Sequence, residues 1–140
     1  MDLSNVNWIG VIVCVIVSMI VGTFWFHPKT FFPIWWKAIG KTERDAPGMQ
    51  STPALWGLTV LASFVQAVFM SVMVKILGAL MGGVTPGSGV ITGILMWFGF
   101  VAPTGLVNKL FAGQLRAWVL ETGNHLVDFV LFGAILGLLH

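Results

Sequence analysis

Apolar residues fill this chain in four long blocks, each interrupted by a short polar or glycine- and proline-rich stretch. The blocks cover residues 6–26, 54–81, 89–108 and 118–139. Each is about the length, roughly 20 residues, that an α-helix needs to cross a bilayer's hydrocarbon. A spanning segment must satisfy its own backbone N–H and C=O groups, so all four are expected to be helical. The pattern predicts an all-α, polytopic membrane protein, a single domain over residues 1–140 with four transmembrane helices in a bundle. Between the first two blocks, Phe31, Phe32, Trp35 and Trp36 interleave with Lys29 and Lys37. That mixture predicts a short interfacial helix at headgroup level, ended by Gly40. Residues 41–53 mix charges of both signs with two prolines and read as a solvated loop.

Composition supports this picture. The chain is 57% hydrophobic and 9% charged, whereas a soluble domain is about a quarter charged. The formal net charge of +2 is small and split between loops, which excludes nucleic acid as a partner and leaves the lipid bilayer. Cys14 is the only cysteine, so there is no intrachain disulfide. Asp2 stands where a signal peptide would carry basic residues, and no small-residue cleavage site follows the first block, which is read as a retained span. Lys29, Lys37, Lys41 and Arg44 lie between spans one and two, Lys109 and Arg116 between spans three and four, and only Lys75 near the other side. The positive-inside rule then predicts cytoplasmic basic loops and both termini outside.

Small residues recur at helical spacing. Gly10, Cys14, Ser18 and Gly22 occupy every fourth position of span one, and Gly133 and Gly137 repeat that step in span four. Such ladders let a second backbone approach closely, within the chain or across a homo-oligomer seam. Pro103 in span three frees a carbonyl and predicts a kink.

The candidate chemistry lies in span four. At about 100° per residue, Glu121, Asn124, His125 and Asp128 share one side of that helix. Ionisable residues inside a membrane usually face the bundle interior and mark a proton, ion or ligand path. With the loops oriented as above, His27, Thr104 and Asn108 sit at the same end as Glu121, so all seven are expected to converge on one polar cavity in the cytoplasmic half, with Gln66 closing its deep end. Blander readings stand beside this one. Glu121 fits the wetted first turn of a helix, His125 with Asp128 fits a packing pair, and His27 fits an interfacial residue. No metal or other cofactor is predicted. Zinc at Glu121, His125 and Asp128, or haem through His27 and His125, is a weaker alternative because the ligand set is incomplete. No nucleophile–base set or phosphate loop is present, so an enzyme is the weaker class.

The chain also resembles the uncharacterised membrane family DUF1761. Trp25-Phe26-His27-Pro28 with Phe31-Phe32 and Trp35-Trp36 carries the resemblance in the first hairpin. Gly99-Phe100-Val101-Ala102-Pro103, Asn108 to Gly113, Trp118, Gly123 to Val127 and Gly133 to Gly137 carry it in the second. The resemblance implies a small bacterial-type integral membrane protein of the inner membrane, with no established activity and no catalytic or binding residues to carry over. His125 and Asn108 match family positions. Two functions follow as expectations: an oligomer whose cavity binds or passes protons, ions or a small solute, or an accessory or scaffold subunit of a larger membrane complex whose polar stripe is structural.

Overall fold

The computed structural model describes residues 6–45 and 53–140. The predicted loop is therefore seen only up to Asp45, and residues 46–52 lie outside the described part. Six α-helices follow one another: α1 (Trp8–Trp25), α2 (Phe32–Ala38), α3 (Pro53–Leu80), α4 (Pro86–Met96), α5 (Ala102–Phe111) and α6 (Leu115–Leu138). A π-helical segment, Trp97–Val101, joins α4 to α5. Four helical spans are long and apolar enough to cross a membrane: α1, α3, the continuous run Pro86–Phe111, and α6. The interfacial helix expected after span one is α2.

Local chemistry sets the helix ends. Asn7 caps α1 by accepting from the Gly10 N–H, while its amide donates to the Leu139 carbonyl at 2.7 Å and its backbone N–H to Ser71 at 3.0 Å. One residue thus ties the start of α1 to the body of α3 and the end of α6. Gly40, at φ +81°, stops α2 as its place in the sequence predicts. Gly82, at φ +90°, ends α3, and the next N–H, that of Gly83, returns to Gly78 O at 2.8 Å. That pairing satisfies a terminal carbonyl and needs the left-handed conformation glycine adopts freely. Thr85 and Ser88 form a reciprocal capping box with Pro86 in the first turn, so span three begins earlier than residue 89. Where Pro103 predicts a kink, the helix has the π segment, in which the Ala102 N–H bonds to Trp97 O. The extra residue per turn accommodates Pro103, which has no N–H and whose ring crowds the preceding turn.

α6 is the central element and touches every other helix. Within the chain, its Gly133 and Gly137 meet α4 and the Thr85 cap, while Gly123 meets Trp25. A Cβ added at Gly89 would overlap the Gly133 carbonyl, one at Gly93 the Phe129 carbonyl, and one at Gly137 the Thr85 carbonyl. Backbone therefore lies against backbone along this seam, with close dispersion contact that bulkier residues would prevent. On the other side, Gly10 faces Leu136 and Cys14 faces Phe132, with Val11, Cys14 and Phe132 fully buried. Outward, Ile9, Ile12, Ile16, Ile20 and Phe24 form an exposed apolar stripe on α1 suited to acyl chains. The cationic residues Lys29, Lys37, Lys41, Arg44, Lys109 and Arg116 all lie in or beside the connections at one end of the bundle, called here the basic end.

The two faces predict opposite responses to the same kind of substitution. Gly89→Leu should destabilise the purified protein by about 3 kcal/mol or more, because backbone has to move. Gly22→Leu has nothing within 4 Å of the added Cβ and should leave the thermal unfolding midpoint in detergent unchanged or raised. Equal losses for both variants would contradict the assigned seam.

Candidate functional site

Small side chains bring α1 against α6 as far as Ser18, and there the contact becomes polar. The Ser18 hydroxyl donates to Asp128 Oδ2 at 3.2 Å and lies 3.2 Å from the Ser63 hydroxyl. Ser18 has one proton, engaged by the carboxylate, so Ser63 is the donor between the two. A chain Ser63–Ser18–Asp128 thereby links α3, α1 and α6. Asp128 is 4% exposed and Asn124 is 7% exposed. Asp128 stands 13 residues into α6, about 20 Å along its axis and near the middle of that helix.

Toward the basic end the three helices enclose a cavity of about 460 Å³. Asn124, His125 and Asp128 line it from α6, Ser18 and Gly22 from α1, and Ser63 and Gln66 from α3, with His27 and Trp56 nearer its mouth. The cavity exists because α3 stands clear there: from Pro53 to Ala62 every residue of the helix is exposed, and Ser63 is the first to be buried. Much of the remaining wall is apolar, including Met19, Phe26 and Ala62. Three buried atoms of the α6 residues, Asn124 Nδ2, His125 Nδ1 and Asp128 Oδ1, have no hydrogen-bond partner in the protein. An unpaired buried polar group costs about 1–3 kcal/mol, and three on one cavity wall is a concentration that packing alone does not account for.

Five of the eight predicted cavity residues come together here: His27, Gln66, Asn124, His125 and Asp128. The other three are elsewhere. Glu121 faces the basic-end surface, where it accepts from Trp35 Nε1 at 2.8 Å and pairs with Lys109 at 3.0 Å. This contact fastens α2 to the second hairpin, helped by Gln114 Nε2 donating to the Ile39 carbonyl, while Trp25 Nε1 at the end of α1 donates to the Leu120 carbonyl. Thr104 is exposed and donates to its own helix at Phe100 O, 2.6 Å. Asn108 is exposed on α5. His27 is exposed, and its Nδ1 accepts from the Lys29 N–H at 3.1 Å. Gly22, the last rung of the packing ladder, lines the cavity, and a Cβ added there would meet nothing within 4 Å. Among the described residues, no three His, Cys, Asp or Glu side chains are placed to share a metal ion.

Sequence reasoning missed Ser63 and the hydroxyl role of Ser18. Ser18 reads as one small rung among four, yet it is the rung whose side chain can donate. Ser63 shares a helical face with Gln66, Ala67 and Met70, and that spacing is the signal that could have found it.

The geometry predicts selective access. In a Cys14→Ser background, Gly22→Cys should react with a small charged methanethiosulfonate reagent supplied from the basic-loop side. Native Cys14, at 0% exposure, should stay unmodified. An unreactive Gly22→Cys, or a reactive Cys14, would contradict an open cavity that ends at Ser18.

Comparison with known proteins gives one match. The family DUF1761, described as a protein of unknown function, matches residues 9–137. No curated protein and no solved structure matches the chain.

Proposed function

Starting from the chain's membership of the DUF1761 family, we propose that this is a small inner-membrane protein whose α1/α3/α6 cavity binds, and in an oligomer passes, a proton, a small cation or a small solute. The carrying observation is the wall of unpartnered polar atoms around Asp128, at a depth where hydrocarbon supplies no partners. The positive-inside rule places the basic end, and with it the mouth of the cavity, in the cytoplasm. A carboxyl group beside hydroxyls and an imidazole can accept and release a proton as an occupant arrives and leaves.

Few ionisable groups compete for that role. On α1 Cys14 lies below the cavity, and His27 lies just beyond the end of that helix. On α6 His125 shares the wall, while Glu121 is held by Trp35 and by Lys109 of α5. The described part of α3 has Lys75 as its ionisable residue, about 18 Å along the helix from Ser63. Among the described residues, Asp128 is the one acid on the cavity wall.

The alternative, an accessory subunit docked through its glycine ladders, finds less support. Gly10, Cys14 and Ser18 face α6, and Gly133 and Gly137 face α4, all within one chain.

In liposomes holding a pH-sensitive dye, the wild-type protein should raise pH-dependent flux above that of empty vesicles. Asp128→Asn should return flux to the empty-vesicle level with unchanged helical circular dichroism. Flux undiminished in that variant would remove the proposal.

A further inference from the structure

We propose that the occupant of this cavity is a small organic ammonium, a protonated amine carrying an apolar body; this rests on the reading of the cavity as a ligand site. The polar part of the wall selects charge. Asp128 is buried, with Oδ2 taken by Ser18 and Oδ1 unpartnered. Among the described residues, no lysine or arginine lines the cavity. A buried carboxylate without a cationic neighbour favours a cation over an anion or a neutral molecule, because the counter-charge offsets its desolvation. An N–H donor of that cation meets Oδ1 in a charge-assisted hydrogen bond.

The rest of the wall selects an organic cation over a bare metal ion. A stripped metal ion needs several oxygen or nitrogen ligands, and no three His, Cys, Asp or Glu side chains converge here among the described residues. The apolar wall gains from burying hydrocarbon instead. Phe26 and Trp56 add aromatic rings, whose faces attract cations. The volume of about 460 Å³ falls in the range of small-molecule sites, about 300–1,000 Å³. Entry is provided on the side where Pro53 to Ala62 of α3 stand exposed, which admits an amphiphile from the membrane.

The test uses benzylammonium as probe, with the full-length protein in phosphatidylcholine nanodiscs at neutral pH and empty nanodiscs as the blank. Benzylammonium should bind saturably, benzyl alcohol about tenfold more weakly or worse, and benzoate not at all. Asp128→Asn should weaken benzylammonium about tenfold or more. Gly22→Leu, at a cavity-lining position where an added Cβ meets nothing within 4 Å, should do the same and stands as the second variant should Asp128→Asn fold poorly. Repeating the titration with phosphatidylethanolamine present separates two sources of an ammonium group. Competition by that lipid assigns a headgroup amine, unaltered affinity assigns a free amine, and both uphold the class. Benzyl alcohol binding as tightly as benzylammonium, or benzylammonium binding unchanged in both variants, overturns it. Flux that depends on Asp128 without saturable benzylammonium binding overturns the ammonium class and leaves the conducting reading standing. Saturable binding without flux does the converse.

Discussion

A buried carboxyl group halfway along a helix long and apolar enough to cross a membrane is the constraint to which the rest of this structure answers. Asp128 sits near the middle of α6, where lipid offers it neither hydrogen bonds nor a counter-charge. Partners must come from neighbouring helices. Ser18 supplies one on Oδ2 and is itself bonded to Ser63, and that short chain of hydroxyls joins α1 and α3 to α6. The second oxygen has no partner in the protein, and the residue lines a cavity.

The glycine seams make that arrangement possible. Because α4 lies with its backbone against α6 at Gly89, Gly93, Gly133 and Gly137, one flank of α6 is closed completely. Dispersion and close packing hold this pair, since burial from lipid brings little hydrophobic gain inside a bilayer. The other flank is then left to α1 and α3. They close on it at the end where Asn7 joins three chain segments, and they part toward the basic end, where α3 is unsupported before Ser63. A bundle tight at one end and open at the other follows from where the small residues are.

Much of the fold was legible in the sequence because hydropathy reads directly as span number in lipid. The four spans, the interfacial helix and the Gly40 stop follow from apolar run length, interleaved aromatics and one glycine. The boundaries moved where local chemistry outran hydropathy: Thr85 and Ser88 start span three early, and Leu115 starts α6 before Trp118. The candidate site was half legible. The turn angle per residue correctly groups Glu121, Asn124, His125 and Asp128 on one side, but an angle does not say which neighbour stands opposite at each depth. Near the surface that side meets α2 and α5, so Glu121 belongs to the contact with Trp35 and Lys109. A turn or two deeper it meets α1 and α3, so Asn124, His125 and Asp128 belong to the cavity. Thr104 escaped for a different reason, since a helical threonine can satisfy its hydroxyl on the preceding turn of its own helix.

The central claim is that Asp128 faces a space open to small polar molecules. Infrared difference spectroscopy in lipid tests it most directly, with the carboxyl band of Asp128 assigned by its loss in the Asp128→Asn variant. On transfer to heavy water, or on addition of an amine, that band should shift promptly as the group exchanges or gains a partner. A band that stays fixed under both treatments would mean that the carboxyl is sealed among side chains, and would contradict the account.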